Sequence, residues 1–371
     1  MTQLSHIKEN IDTITYETVC RIPCDVIAAE FSQSDISTII KTVIDHYYAN
    51  GFPYYEKDKN RMLTDFVNVS NSTVDKIEIG NELQQNMAGL YFVNCFHSEM
   101  WEVICNKAKT PMDVFNDRNL FYNAIKKRIG LSDTPLHPYN IRKSLKVFNG
   151  VQNVSNFRPT ISKYIYDKYC PENGSVLDPC MGYGGRLMGA FLSEKVSSYR
   201  AVDPNQTTVT NNQLMLLQLI ETEKIKSQEN IFHEQRPRHF DFICSPFEDY
   251  YPMGMYDLIF TSPPYFNIEK YSNDETQSWV RYKTLDKWME KFIVPLVAKS
   301  YWSLKKDGHF IINIDGGEKI TKRFQEIAAE CFDLVEIKYM RLSKIMGNRK
   351  TNTDKFKLES IFIYKHKTKN Q

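Results

Sequence analysis

Beyond residue 170, short β-branched or apolar runs alternate with helical patterns, and this alternation limits the fold more than any other feature of the chain. The runs are "SVLD" (175–178), "YRAVD" (199–203), "FDFICS" (240–245), "YDLIFTS" (256–262) and "GHFIINID" (308–315). Helical patterns fill the intervals, notably "RLMGAFLSE", "TTVTNNQLMLLQLI" and "LDKWMEKFIVPLVAKSYWSL". Strand, helix, strand repetition implies a parallel sheet covered on both faces, with ligands at the carboxyl ends of the strands. Two later runs, "LVEIKYM" (334–340) and "SIFIYKH" (360–366), lack a clear helix between them and read as an antiparallel pair at the sheet's edge. The expectation is an α/β fold built on a doubly wound, mostly parallel, seven-stranded sheet.

The N-terminal part reads as mainly helical. "DISTIIKTVIDHYY" has apolar residues at helical spacing behind an Asp/Ser cap, and "NLFYNAIKKRIG" ends in basic residues and Gly130, a stop signal. "NGFPYY" (50–55) reads as a packed turn before it reads as a base-stacking surface. Two prolines and an Asp/Ser pair in "LSDTPLHPYN" (131–140) interrupt the helical patterns, which places a boundary there: residues 1–140 against residues 141–371.

Composition excludes several classes. A hydrophobic share of 42% and a charged share of 25% argue against disorder. No apolar run approaches the ~20 residues of a membrane span, and the start of the chain shows no secretion pattern, so the expected compartment is the cytosol. Eight cysteines without an export signal argue against a disulfide framework. Cys20, Cys24, Cys95, His97 and Cys105 fit no common zinc spacing, so no metal is expected. A net charge of +2 leaves any nucleic-acid partner to local basic patches. Arg341, Lys344, Arg349, Lys350, Lys355 and Lys357, against the single acid Asp354, form one candidate; a solvated loop has the same composition. A second runs over Lys126, Lys127, Arg128, Arg142, Lys143 and Lys146.

The polar chemistry sits just after the strands. "DPCMGYGGR" (178–186) supplies Gly182, Gly184 and Gly185 for a turn in which a ligand can approach the backbone, although tight packing alone also uses such turns. No Gly-Lys-Ser/Thr is present, and Leu187 stands where a dinucleotide motif has its third glycine, so a ligand with ribose and base but no pyrophosphate fits better. Asp203, ending the second strand, suits ribose hydroxyls. In "SPFEDY", Phe247 is a candidate for an adenine face, with Ser245 or Asp249 for its edge. In "TSPPYF", the prolines Pro263 and Pro264 fix the backbone and remove two donors, leaving carbonyls to face an amine. Ser262 can accept through its hydroxyl, while Tyr265 offers a ring to a base.

"DPCMGYGG" followed by "TSPPY" resembles the S-adenosylmethionine-dependent amino-methyltransferases of DNA, which modify cytosine N4 or adenine N6. Cys180 stands where that family usually has Phe. The resemblance covers about residues 150 to 320, and to 366 if the last strands are included. It implies a class I, Rossmann-like methyltransferase domain with S-adenosylmethionine as cofactor, held by Asp178, Cys180, Gly182, Gly184, Asp203, Ser245 and Phe247. It implies further that Phe157, Arg158, Pro159 and Thr160 in "NFRPTISKYIYDKY" close over the methionine end. The catalytic set would be Ser262, Pro263, Pro264 and Tyr265, with Phe266 helping to receive a flipped base.

Motif order is like the gamma class, but the large domain that follows the catalytic motif there is missing. Target reading would fall to "SKIMGNRKTNTDKFKLE", with Lys344, Arg349 and Lys350 on phosphates, and to the N-terminal part. Methylation of double-stranded DNA is the leading expectation, with cytosine N4 ahead of adenine N6 because Ser precedes Pro-Pro-Tyr. The alternatives are an RNA base amine, a glutamine side chain in a protein, disfavoured because it calls for Asn at 262, and an inactive DNA-binding subunit.

Overall fold

The structure, a computed structural model, describes residues 3–84, 86–228, 238–266, 268–344 and 356–367. In place of one cut near 140 the chain forms two interleaved units: residues 1–56, 98–155 and 269–271 in the first, and residues 57–97, 156–268 and 272–371 in the second. The Pro-rich stretch at 131–140 therefore lies inside the first unit, and a segment of the N-terminal part belongs with the sheet.

The first unit is helical. Its longest helix, Gln33–Asn50, starts at Ser32, whose hydroxyl accepts from the Asp35 amide while the Asp35 carboxylate accepts from the Ser32 amide. This capping box satisfies two otherwise orphaned donors. The helix buries Ile36, Ile39, Ile40, Val43, Ile44 and Tyr47 at the spacing the sequence shows. The helix Arg118–Leu131 continues one residue past Gly130. In "NGFPYY" the Phe52 ring packs 5.1 Å from Trp101 and 5.3 Å from Phe115, which is the packed-turn reading.

The second unit is built on one sheet of nine strands: β1 (Glu78–Ile79), β2 (Glu82–Leu83), β3 (Gly174–Asp178), β4 (Val196–Asp203), β5 (His239–Cys244), β6 (Tyr256–Thr261), β7 (Leu304–Asn313), β8 (Phe332–Lys344) and β9 (Phe356–His366). Their order is β1-β2-β8-β9-β7-β6-β3-β4-β5. Strands β3 to β7 pair in parallel, while β9 runs antiparallel to both β7 and β8. The core is thus the doubly wound, mostly parallel α/β sheet expected from the alternation, its last two strands antiparallel.

The expected edge pair is not the edge, because β2 adds in parallel to β8. Charge pairing reinforces the backbone contact, in which the Tyr339 amide donates to the Asn81 carbonyl at 2.8 Å. Lys338 on β8 is 3% exposed, and a buried ammonium needs partners. It finds Glu336 at 2.6 Å and also Glu78 of the hairpin, and Arg341 pairs with Glu82.

Side chains alternate between two covered faces. Phe310, Ile312, Ile314, Phe362 and Tyr364 pack with Leu296 and Val297 of the helix Val294–Ser303 and with Ile320 and Phe324 of the helix Glu318–Ala328. On the opposite face Phe260 meets Phe157 and Tyr166 at 5.5 and 5.7 Å between ring centroids. The chain winds outward through β3, β4 and β5, then crosses to β6 and β7. That reversal puts the topological switch point between the adjacent strands β3 and β6, whose carboxyl ends carry Asp178 and Thr261.

Candidate active site

The loop after β3 is held from below. Asp178 is fully buried, and its carboxylate accepts from Arg186 Nε at 2.8 Å, Tyr199 Oη at 2.8 Å and Thr261 Oγ1 at 3.0 Å. With those donors in place Asp178 acts as the anchor of the loop, not as a ligand contact. Arg186 also donates to the Cys180 carbonyl, and the Cys180 amide donates to Thr261 Oγ1 at 3.0 Å. Burial pushes the Cys180 thiol far above the usual range, so it is no nucleophile.

Gly182 and Gly184 do different work. Both have left-handed φ, +59° and +84°. A Cβ on Gly184 would lie 2.5 Å from Met215 Cε, so that glycine serves packing. A Cβ on Gly182 would meet nothing closer than 3.9 Å, so the backbone there borders open space. The Gly182 amide donates to Asp203 Oδ2 at 3.1 Å, and its carbonyl accepts from Asn212 Nδ2 at 2.8 Å.

Asp203 takes a second backbone donor, the Asn205 amide at 3.0 Å on Oδ1. Burial raises its pKa to about 6, against the opposing pull of these two amides. Each oxygen keeps lone-pair capacity for a hydroxyl. The Ser245 amide donates to the Asp203 carbonyl at 3.0 Å, which brings the loop after β5 to the same rim. An open backbone turn beside a carboxylate with acceptor capacity fits the ribose end of a nucleoside cofactor.

Two expected contacts are corrected. Phe247 is 2% exposed and packs in the core with Leu177, Val202 and Trp288, so its ring offers no face to a base. Its loop is tied down by Lys299, which donates to the carbonyls of Phe247, Glu248 and Tyr250. Asp249 is committed to Arg281 at 2.9 Å.

At the end of β6 the four motif residues stay together. Thr261 bonds the Asp178 loop, which ties the residue before Ser262 to the glycine turn. Ser262 Oγ donates to Asn313 Oδ1 at 3.2 Å, and Tyr265 Oη donates to the same oxygen at 3.3 Å. Asn313 Nδ2 donates to the Ser360 carbonyl at 3.0 Å, which fixes the amide orientation and leaves its oxygen as the acceptor. Pro263 is buried and Pro264 half-buried, and among the described residues none donates to the Pro263 carbonyl.

Asn313 is the site residue that sequence reasoning missed. Its signal was a lone amide in "FIINID", at the carboxyl end of an otherwise apolar strand.

The segment preceding the glycine turn lies against it. Phe157's carbonyl occupies the space a Cβ on Gly185 would need, and Ser162 does the same at Gly189. Thr160 is buried and donates to Asn86 Oδ1 at 3.2 Å, Asn156 donates to Asn94 at 2.6 Å, and Pro159 sits against Gly89. Residues 86–94, from the N-terminal part, therefore wall this segment, a role their own sequence does not announce. Arg158 is half-buried, and burial lowers its pKa with the Glu359 carboxylate opposing.

The proposed nucleic-acid contacts fare unevenly. Phe266 has a left-handed φ of +50° and packs 5.8 Å from Trp288, so it belongs partly to the core. Lys344 ends β8, not a loop, and Arg349 and Lys350 lie outside the described residues.

No family model and no curated protein matches the sequence. Among solved structures the chain is similar to TrmN from Thermus thermophilus, at 11% identity and a TM-score of 0.36, covering 56% of this chain and 48% of that one. It is similar to a SAM-dependent O-methyltransferase from Thermotoga maritima, at 9% identity and 0.36, covering 59% and 69%. A methyltransferase from Pyrococcus furiosus gives 14% identity and 0.34, covering 59% and 91%. Scores this low say nothing of substrate, so the chain's own residues carry its reading.

Proposed function

We propose that this chain transfers a methyl group from S-adenosylmethionine to the exocyclic amine of a base in double-stranded DNA, cytosine N4 ahead of adenine N6. The observation that carries the reading is the shared acceptor: Ser262 and Tyr265 both give their protons to Asn313.

Because its own proton is spent on Asn313, Ser262 Oγ meets an incoming amine as an acceptor. The Pro263 carbonyl is a second acceptor, its direction restricted by the Pro264 ring that follows it. An aromatic amine is a weak nucleophile because its lone pair is delocalised into the ring. Two acceptors on its N–H groups favour a pyramidal nitrogen and localise that pair. The cofactor, held at Gly182, Asp203 and Ser245, would supply an electrophilic methyl on a sulfonium. Positioning then provides most of the acceleration. The proton released from the methylated nitrogen passes to water, since the Asn313 amide is no base.

A base inside a duplex cannot reach this site and must be flipped out, with Tyr265 as its stacking partner. The preference for cytosine rests on the resemblance of Ser-Pro-Pro-Tyr to that activity.

The test is incubation of the purified chain with methyl-labelled S-adenosylmethionine and either duplex DNA or RNA, then digestion and mass spectrometry of the nucleosides. Labelled N4-methylcytosine from DNA is expected. Labelled N6-methyladenine would move the target base, label in RNA alone would move the substrate, and no label in either would overturn the reading.

A further inference from the structure

We propose that the packed helices Arg118–Leu131 and Pro138–Val147 of the first unit carry a surface that tracks the phosphates of duplex DNA, a choice of partner that rests on the function proposed above. The charge of the chain is unevenly laid out. Residues 118–155 hold seven Lys and Arg against the single acid Asp133, and since the whole chain is only +2, everything outside that stretch comes to −4. Neither helix contains an acid.

The structure sorts the six basic residues that the sequence groups here. Arg142 is 5% exposed and donates to the carbonyls of Pro53 and Tyr54 at 2.8 and 3.1 Å. Arg128 is 8% exposed, and its Nε donates to Ser144 Oγ at 3.0 Å, which ties the two helices together. Both arginines are structural. Lys126, Lys127 and Lys143 stay exposed. Lys146, one turn beyond Lys143, is half-buried with its ammonium 4.5 Å from the Trp101 ring, and that of Lys127 lies 5.9 Å from the Phe148 ring.

Two lysines outside the helices join them. Lys109 bridges to Val151, and its carbonyl accepts from the Gln152 amide at 3.3 Å. The exposed Lys107 and Lys109 thus stand beside the chain that leaves the second helix. Among the described residues, Lys107, Lys109, Lys126, Lys127 and Lys143 form no ion pair. By contrast, the exposed Lys8 and Lys305 are paired, with Glu30 at 2.9 Å and with Asp257 at 2.8 Å. Uncompensated like charges on one surface repel one another, and a line of phosphates relieves that repulsion while releasing counterions. Point charges without a guanidinium fork hold the backbone and read no base edge, so this surface supplies affinity and no sequence preference.

The experiment measures binding of a labelled DNA duplex to the full chain by fluorescence anisotropy across a salt series, with calorimetry for S-adenosylmethionine and melting curves alongside. The variants are Lys126→Gln with Lys127→Gln, Lys143→Gln alone, and Lys107→Gln with Lys109→Gln. The control is Lys319→Gln with Lys322→Gln, exposed lysines of the helix Glu318–Ala328. Each lysine that holds a phosphate should, once lost, weaken binding equally on unrelated sequences and flatten the plot of log affinity against log salt by about 1. Cofactor affinity should stay at the wild-type value, melting temperature should not fall, and the control should bind DNA as the wild type does. An unchanged slope in all three variants, or a control that loses as much, would overturn the inference. Equal lysine-dependent binding to vesicles rich in phosphatidylserine would overturn it too, by making the surface a membrane contact. Binding is read without methyl transfer, so the surface is decided separately from the proposed function, which fails if the wild-type chain methylates no base amine.

Discussion

Ser262 donates its hydroxyl proton to Asn313 across neighbouring strands at 3.2 Å, and this settles which way the serine faces chemically. A serine with a committed proton is an acceptor. Asn313 is itself committed, through Ser360, so the chain of donors runs one way from Ser262 into the sheet. Removing Asn313 should free the Ser262 hydroxyl to rotate and donate. Asn313→Ala is expected to slow methyl transfer by about 10²-fold, the scale of a misplaced reacting group. Cofactor affinity by calorimetry should stay at the wild-type value.

Asp203 predicts a pH dependence. Its pKa in the folded chain, about 6, lies above its ordinary value of 3.8. The folded state therefore binds a proton more readily than the unfolded one, and this group's contribution to stability is greatest below about pH 4 and declines as pH rises to about 6. Cofactor binding runs the opposite way, because ribose hydroxyls need the ionised carboxylate. Calorimetric affinity should rise with pH up to about 6 and level off above it. Asp203→Asn should flatten that profile.

The glycines of the turn should separate stability from binding. Gly184→Ala forces a Cβ to 2.5 Å from Met215 at a φ of +84°, so it should lower thermal stability clearly. A Cβ in Gly182→Ala comes no closer than 3.9 Å to a neighbour and adds only the backbone strain of a φ of +59°, of order 1–3 kcal/mol. Its methyl group would project toward the cofactor, so affinity should fall more than stability does. Melting curves with and without S-adenosylmethionine check both.

The Asp178 to Arg186 ion pair is buried, with side-chain exposures of 0% and 5%. Arg186→Met would leave the carboxylate uncompensated, at a cost of about 3–5 kcal/mol. Chemical denaturation should show that loss.

The sequence made the central sheet legible because each parallel strand is an apolar run bounded by helix, and burial on both faces writes that pattern directly. The same holds for the loops at the strand ends, where Gly182, Asp203 and Ser262 stand out as polar or glycine residues following apolar ones. What was illegible depends on tertiary partners. The two-residue strands at 78–83 are too short to carry a period, and their partners, Lys338 for Glu78 and Arg341 for Glu82, lie some 260 residues away in sequence. Phe247 was misplaced because a loop aromatic has no periodicity to say which way it turns. Asp178 was read as a ligand contact because its donors, Arg186, Tyr199 and Thr261, come from three different elements.

The most direct test of the account is single-turnover transfer of a labelled methyl group from S-adenosylmethionine to duplex DNA by the wild-type chain and by Ser262→Ala, both saturated with cofactor. The account predicts label on a base amine for the wild type, and for the variant equal cofactor binding with transfer slowed by about 10²-fold or more. Transfer by Ser262→Ala at the wild-type rate, or a wild-type chain that binds no S-adenosylmethionine, would contradict it.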